Sequence, residues 1–450
     1  MAHLKSVLTF PPASAEERTA AALAAHYMAV RQQTDALTAP LSAEDQMVQS
    51  CPEASPAKWH LAHTSWFFET FILSAHLPGY RAFHPHFRDL FNSYYNAVGQ
   101  QPDKALRNTF SRPSLDEVRK FRAHIDEHMH KLLQPGISDA ARKLVVVGLN
   151  HEQQHQELIV TDIKHAFWSN PLRPAYQPAS AEAPSIAAPQ QRPQLYPEGL
   201  YDIGASTPAR ATPAHSGDPG AEGDGFYFDN EGSRHKAFVR SFRFAMRLAT
   251  CGEYLSFIED GGYTRPELWL SDGWKAVQTH HWNAPLYWEK VNGQWFQFTC
   301  SGQRRVEEAE PVCHVSYYEA DAFARWAGAR LPTEFEWEVA AQKLPVQGNL
   351  LENGKFHPEA APPAPEDGQP TQMFGDVWEW TASAYLAYPG YKPAAGALGE
   401  YNGKFMSGQM VLRGGSCATP RSHIRATYRN FFPPETRWQF SGIRLADDGN

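Results

Sequence analysis

The sequence lacks the features that mark secreted and membrane-spanning proteins. It has only 5 cysteines in 450 residues, widely scattered and without a C-x-x-C pair, which is typical of reduced thiols and excludes a disulfide framework or a zinc ribbon. The longest aliphatic run, residues 144–147, is too short to span a bilayer. Residues 1–14 lack the basic and apolar regions of a signal peptide. We therefore expect a soluble, cytoplasmic protein.

The sequence also lacks a strong excess of either positive or negative charge. The 41 Lys and Arg residues against 49 Asp and Glu residues give a net charge of -8, and no long basic block is present. This balance argues against nucleic acid and anionic membrane as partners, and favours small molecules. Apolar residues make up 42% of the chain, which is enough for more than one core.

The sequence pattern differs between two parts of the chain. In residues 14–169 apolar side chains recur three or four positions apart, which predicts a helical bundle. Residues 170–197 are rich in Pro and Ala and are expected to be a linker. Residues 198–450 have short β-like runs, many glycines and dense aromatics, with helices expected near 317–328 and 334–342. The predicted fold class is α+β with two domains.

Two histidines one helical turn apart are the first chemical signal. His151 and His155 lie on one apolar stripe of a predicted helix, close enough to bind one metal ion. With 20 histidines in 450 residues, about one such pair arises by chance. A second pair, His124 and His128, lies among charged residues and is expected to be solvated. Context therefore singles out the first pair, and a bound metal ion and satisfied interior histidines are the two interpretations that stay open for it.

His63 is the best candidate for a third ligand. It projects from an aromatic face of a predicted helix, and metal sites in bundles are assembled from facing helices. Three ligands leave an open coordination position for chemistry. A core histidine bonded to a backbone carbonyl is the alternative. His60 points to a different face of the same helix and is expected to be peripheral.

The same five residues also match H-E-x-x-H, the motif in which Glu152 would be the general base of a zinc peptidase. The longer form of this motif needs Gly and His where Leu158 and Thr161 stand. A downstream Glu as the third ligand leaves the shorter form open.

Five segments together resemble the ergothioneine-synthesising sulfoxide synthases. WHLAHT at 59–64 and GLNHEQQHQE at 148–157 resemble the iron-binding signatures of that family. RLPTEFEWE at 330–338, GDVWEWT at 375–381 and LRGGS at 412–416 resemble its formylglycine-generating-enzyme-like domain, which has a C-type-lectin-related fold. The segments cover nearly the whole chain in the order of the family. The resemblance implies a DinB-like four-helix bundle fused to that irregular domain.

The resemblance also implies a metal and a reaction. His63, His151 and His155 would bind a non-haem Fe(II), whose open positions would take a substrate thiolate, hercynine (Nα-trimethylhistidine) and O₂. Three neutral imidazoles leave the +2 charge uncompensated, which favours deprotonation of the thiol. The implied reaction is O₂-dependent C–S bond formation with sulfoxidation, joining hercynine to cysteine or γ-glutamylcysteine.

Further site residues follow from the resemblance. Gln154 matches a family residue that contacts the imidazole of hercynine, and Tyr94 or Tyr95 would supply a proton to reduced oxygen. The alternatives are an exposed helix glutamine and two packing tyrosines.

Substrate-binding residues are implied in both domains. Asn430, Phe431 and Phe432 resemble the lining of the substrate cleft, where aromatic faces suit a quaternary ammonium group. Arg112 and Arg107 are candidates for binding a carboxylate. A buried aromatic cluster and surface arginines are the alternatives.

Two departures from related proteins narrow the function. Formylglycine-generating enzymes use a cysteine pair where Thr419 and Ile424 stand, so sulfatase activation is not expected. The branch that uses γ-glutamylcysteine has a close arginine pair, whereas Arg107 and Arg112 are spaced differently, which favours free cysteine. A binding module that reuses both folds is the non-enzymatic alternative. The thiol, the regiochemistry of coupling, the oligomeric state and a structural Ca²⁺ are left open.

Overall fold

The computed structural model divides the chain into two compact units, which are described separately. Residues 14–19 of the predicted bundle, residues 179–186 of the predicted linker, and residues 206–225 and Asn450 of the predicted second domain lie outside the described residues. The structure describes residues 20–178, 187–205, 226–363, 365, 368–394 and 396–449.

The first unit is helical. It runs to Gln177 and also takes in a later segment, Pro393–Tyr401. Its helices are α1 (Ala20–Thr38), α2 (Ala57–Phe68), α3 (Ser74–His76), α4 (Phe87–Leu90), α5 (Leu115–Leu132) and α6 (Asp139–Ser169), with 3₁₀ turns at Asp45–Met47, Lys104–Thr109 and Gly396–Glu400.

Helix α2 lies at the centre of this unit. All of its residues are buried, and it packs against α5 and α6, while α1 packs against α6. A π-helical turn, Glu69–Leu73, joins α2 directly to α3. Serine caps open the two long helices that follow: Ser114 forms a capping box with Glu117 at α5, and Ser138 caps α6. The caps explain why these helices begin where they do.

A buried ion network joins α1, α5 and α6. The two carboxylate oxygens of Glu152 accept from Arg31 (Nη1–Oε2, 3.0 Å) and Arg122 (Nη2–Oε1, 2.8 Å). Burial alone would raise the pKa of Glu152, but Arg122 and Arg31 outweigh it and lower that pKa to about 2. The carboxylate therefore stays charged and fixes the rotation of α6 about its axis.

No helix within the described ranges combines the length and the apolar composition needed to cross a membrane. The longest, α6, has 31 residues but carries charged and amide side chains along much of its length.

The second unit mixes short strands with short helices. The helices are α7 (Cys251–Glu259), α8 (Ser271–His280), α9 (Tyr317–Trp326) and α10 (Glu334–Ala341), with 3₁₀ turns at Asp229–Glu231, Gly262–Thr264, Pro266–Leu268, Leu351–Asn353 and Gly403–Phe405. The helices predicted near 317–328 and 334–342 are α9 and α10.

Four small sheets are present among the described residues. The strands are β1 (Gln194–Tyr196), β2 (Gly199–Ile203), β3 (His235–Val239), β4 (Phe242–Phe244), β5 (Trp288–Val291), β6 (Gln294–Thr299), β7 (Gly302–Arg305), β8 (Trp378–Ala384), β9 (Met410–Arg413), β10 (Asn430–Phe432), β11 (Ser441–Gly442) and β12 (Ala446–Asp448). The strand orders of the sheets are β10-β9-β8-β11, β1-β4-β12, β5-β6-β7 and β2-β3, and every pairing is antiparallel except that of β8 with β11.

The core of this unit explains its dense aromatic content. Trp337, Trp378 and Trp380 are fully buried around β8 and α10. Arg413 and Arg444 are also fully buried, and Arg444 pairs with Glu379 at 2.8 Å. A mixed helix-and-sheet fold is confirmed.

A tight turn before β8 tests this packing. Gly375 has φ +82°, and a Cβ there would lie 2.2 Å from the backbone oxygen of Asn349. Gly354 also has a positive φ, +65°, but a Cβ there meets no described atom within 4 Å. We expect Gly375→Ala to lower the free energy of unfolding by more than about 3 kcal/mol, because strain and a backbone clash combine. Gly354→Ala, the matched control, should cost about 1 kcal/mol.

Urea unfolding followed by tryptophan fluorescence measures both variants. Equal losses of stability in the two would show that the close approach to Asn349 does not constrain the turn.

Candidate metal centre

Three imidazoles from α2 and α6 converge in the first unit. The Nε2 atom of His151 lies 3.2 Å from Nε2 of His63 and 3.1 Å from Nε2 of His155. All three side chains are buried. Within the described part of the chain, this is the only group of three or more His, Cys, Asp or Glu residues whose ligand atoms come this close together.

His63 is held on both faces and at one nitrogen. Its ring stacks between Trp59 (4.4 Å between ring centroids) and Trp66 (5.1 Å), both on α2. Its Nδ1 lies 2.6 Å from the backbone oxygen of Phe91, which only accepts hydrogen bonds. Nδ1 therefore carries the proton, and the Nε2 of the neutral ring points a lone pair at the other two histidines.

His155 is held by a histidine that was expected to be peripheral. His60 is only 2% exposed, and its Nδ1 lies 2.7 Å from Nδ1 of His155. His60 is not among the three converging ligands, as expected, but it is buried and contacts His155 because α2 is buried on all sides. The other nitrogen of His60 lies 3.1 Å from Oδ2 of Asp162.

His151 completes the group. Its ring stacks on Phe67 at 4.5 Å, and its Nδ1 is buried without a hydrogen-bond partner among the described residues. A single proton on the His151 Nε2 could satisfy only one of the two facing nitrogens. The arrangement is thus short of protons and rich in lone pairs, which suits a divalent cation with imidazole ligands.

Burial keeps these rings neutral. Desolvation lowers the pKa of His151 to about 3. Desolvation, reinforced by the neighbouring histidines, also places the pKa values of His63 and His155 well below 6.5. Neutral imidazole is the form that binds a metal, so the group is ready to do so at pH 7.

Glu152 is not available as a general base. Both of its oxygens accept from buried guanidinium groups, those of Arg31 on α1 and Arg122 on α5. A peptidase base needs a carboxylate that can reach a metal-bound water. The H-E-x-x-H reading therefore fails on geometry although the letters match.

Gln154 has a hydrogen-bond partner far away in the sequence. The hydroxyl of Tyr401 donates to Oε1 of Gln154. The Tyr401 ring also lies edge-on to His151 at 5.9 Å and to Tyr94 at 6.4 Å. Tyr401 is 247 residues from Gln154 in sequence and belongs to the Pro393–Tyr401 segment of this unit. No local pattern around Tyr401 signals this position.

Tyr94 and Tyr95 lie together next to this group. Their rings stack at 4.5 Å with the hydroxyls 3.4 Å apart. Burial raises the pKa of both phenols above 10. Glu400 holds the following turn, because its carboxylate accepts from the backbone N–H groups of Asn96 (3.0 Å) and Ala97 (2.9 Å).

The two arginine candidates lie in different settings. Arg112 is exposed, and its guanidinium lies 3.5 Å from the backbone oxygen of Ser111. Arg107 is buried, donates to Ser55 Oγ at 2.8 Å and stacks over Trp59 at 3.5 Å.

The remaining candidates lie in the second unit, on β10. Asn430, Phe431 and Phe432 are all half-buried. Phe431 stacks on Tyr385 at 4.0 Å, and Phe432 lies edge-on to Trp438 at 5.9 Å.

Comparison with known proteins identifies a family domain in the region of the second unit and relatives of the chain. The family model of the sulfatase-modifying factor enzyme 1-like domain matches residues 200–365 and 368–449. A hercynine oxygenase of Mycolicibacterium smegmatis is 31% identical over 427 residues, which cover 88% of this chain and 92% of the relative. A hercynine oxygenase of Mycobacterium tuberculosis is 38% identical over 240 residues, 49% of this chain and 56% of the relative. The ergothioneine biosynthesis protein 1 of Schizosaccharomyces pombe is 28% identical over 235 residues, 49% of this chain and 28% of the relative.

The buried histidines make the metal-free protein sensitive to acid. The pKa values of His63, His151 and His155 are lowered from 6.5 in the folded state, so below that pH the unfolded chain binds protons that the folded chain does not. The free energy of unfolding is therefore higher at neutral pH, and it falls as the pH is lowered below 6.5. At about pH 5.5 we expect a loss of about 1.4 kcal/mol for each imidazole.

Urea titrations of the metal-free protein between about pH 7 and about pH 5.5 measure this loss. His151→Gln, which lacks one of the rings, should show a shallower fall. An unfolding midpoint that does not change over this interval would contradict the expectation.

Proposed function

The chain belongs to the hercynine oxygenase family and carries a sulfatase-modifying factor enzyme 1-like domain, and we propose that it joins hercynine to a cysteine-type thiol with Fe(II) and O₂. It is an oxygenase of ergothioneine biosynthesis. The observation that carries the proposal is the convergence of three buried Nε2 atoms in the first unit.

Fe(II) held by His63, His151 and His155 would supply redox chemistry towards O₂ and a positive charge that favours a thiolate. Zn²⁺ suits the same ligands but has no redox chemistry, so the oxygenase family favours iron. The neutral rings add no charge of their own, and the surrounding tryptophans and phenylalanine keep bulk water from the ligand atoms.

Gln154 and Tyr401 orient the imidazole of hercynine. The Tyr401 hydroxyl donates to Oε1 of Gln154 and so sets the direction of the amide. Because Tyr401 also lies against the His151 ring, the amide is oriented relative to a metal ligand. A fixed amide beside the ligands holds the substrate ring in one orientation, which suits formation of a C–S bond at one carbon.

Tyr94 and Tyr95 hold the proton that the reaction needs. Their raised pKa values keep both phenols protonated at neutral pH, so either hydroxyl can donate to an oxygen atom of the reacting group. The 3.4 Å between the hydroxyls allows a proton to pass from one phenol to the other.

The remaining assignments are part of the same proposal. Asn430, Phe431 and Phe432 are substrate-binding residues of the second unit, since aromatic faces suit a quaternary ammonium group, and Arg112 of the first unit binds a carboxylate. The helical unit is a DinB-like bundle, the second unit has a C-type-lectin-related fold, and the protein works in the cytoplasm. Cysteine and γ-glutamylcysteine are the two candidate thiols.

The direct test loads the protein with Fe(II) under anaerobic conditions and then adds O₂, hercynine and each thiol in turn. Mass spectrometry should detect the coupled sulfoxide with at least one thiol, together with O₂ uptake. His63→Gln should abolish the product, whereas His165→Gln, a half-buried histidine of α6 bonded to Ser50, should leave it unchanged. Peptide hydrolysis with Zn²⁺ and no O₂, or no turnover with any thiol, would refute the proposal.

The tyrosine pair gives a second prediction. Tyr94→Phe or Tyr95→Phe removes one phenol while keeping its ring, and the variant that loses the proton donor should form the sulfoxide about 10²- to 10⁴-fold more slowly. Oxidation of the thiol alone should persist, so the ratio of sulfoxide to oxidised thiol should fall. Tyr80→Phe, whose hydroxyl donates to Glu69, is the matched control. An unchanged product ratio in both variants would exclude a proton-donor role for the pair.

A further inference from the structure

A buried polar chain leads away from the three histidines. Oδ2 of Asp162 lies 3.1 Å from Nε2 of His60, and Nδ1 of His60 lies 2.7 Å from Nδ1 of His155. All three side chains are buried, at 6%, 2% and 8% exposure respectively. The chain thus connects a carboxylate through one imidazole to the back of a second imidazole, whose Nε2 faces the centre.

Only one direction of hydrogen bonding suits a metal ligand. A carboxylate oxygen accepts hydrogen bonds, so Nε2 of His60 carries a proton and donates it to Asp162. In neutral His60 the Nδ1 is then an acceptor, and Nδ1–H of His155 must be the donor. That assignment leaves Nε2 of His155 without a proton and with its lone pair towards His151. The reverse direction would place a proton where the metal must bind.

The far end of the chain is itself fixed. Oδ2 of Asp162 also accepts from the backbone N–H of Ser55 at 2.8 Å, just before α2 begins. Ser55 Oγ accepts from Arg107 at 2.8 Å, and Arg107 lies over the Trp59 ring at 3.5 Å. Asp162 follows His155 by two turns of α6, so this carboxylate ties α6 to the start of α2 on the side of the ligands.

The other two ligands are held differently. Nδ1 of His63 faces a neutral backbone oxygen, that of Phe91, and Nδ1 of His151 has no partner among the described residues. The chain through His60 is therefore the one that ends on a carboxylate. A carboxylate at the end of such a chain increases the basicity of the ligand nitrogen and fixes the ring.

We propose that Asp162 and His60 are positioning residues that fix the tautomer and ring orientation of His155 and so set the metal affinity of the centre. This inference rests on the proposed metal centre. Neither residue needs to touch a substrate, and both act through His155.

The test measures metal binding without substrates, under anaerobic conditions, by competition of Fe(II), or of Co(II) as a spectroscopic substitute, against a chelator. His60→Phe keeps a ring but removes both hydrogen bonds, and should weaken binding about 10- to 100-fold. His60→Gln offers one acceptor and one donor, and should recover most of the affinity. Asp162→Asn keeps an acceptor but loses the charge, and should fall between the two. His165→Gln, on the same helix, is the control and should bind as the wild type does.

The visible spectrum of bound Co(II) and the unfolding temperature of the metal-free variants complete the experiment. A shifted Co(II) spectrum in His60→Phe, restored in His60→Gln, supports positioning. Wild-type affinity in His60→Phe, or equal losses in His60→Phe and His60→Gln, overturns the proposal, as does a loss of stability alone. If His60→Phe does not fold, Asp162→Asn compared with His60→Gln decides in the same way. Failure of the wild type to bind either metal would instead refute the proposed function.

Discussion

Three neutral imidazoles buried against one another are the interaction on which the first unit depends. A buried polar nitrogen without a partner costs free energy, and three ring nitrogens within 3.2 Å of their neighbours cannot all be satisfied by one another. The surrounding structure therefore provides for the outer nitrogens of two rings, with a backbone oxygen behind His63 and His60 behind His155. A cation held between the facing nitrogens would satisfy them together.

Helix α6 carries the metal-ligand histidines and the residues of the ion network at different positions around its axis. His151, His155 and Asp162 face α2, whereas Glu152 faces the arginines of α1 and α5, and Gln156 donates to the backbone oxygen of Val30 at 2.9 Å. The ion network on the second face holds the rotation of the helix, which keeps the ligands of the first face pointed at His63. The carboxylate of Glu152 thus orients the helix, whereas the carboxylate of Asp162 on the ligand face reaches His155 only through His60.

A short segment from late in the sequence contacts Gln154 and the turn that follows Tyr95. Tyr401 sets the amide of Gln154, and Glu400 holds the turn that follows Tyr94 and Tyr95. Both residues lie in Pro393–Tyr401, which belongs to the helical unit although the chain on both sides belongs to the other. The amide of Gln154 and the turn after Tyr95 are thereby held by residues about 250 to 300 positions away in sequence.

The sequence alone predicted a helical part and an α+β part, the pairing of His151 with His155, and the family motifs. It could do so because periodicity and short motifs are local properties. The structure adds that His63 meets that pair. Local patterns are not enough where burial decides: H-E-x-x-H is compatible with a free base at Glu152, and helix faces do not show that His60 contacts His155. Both depend on what packs against the helix from elsewhere. Only the tertiary structure could reveal Asp162 behind His60 and Tyr401 beside Gln154, since these contacts join residues that no sequence spacing connects.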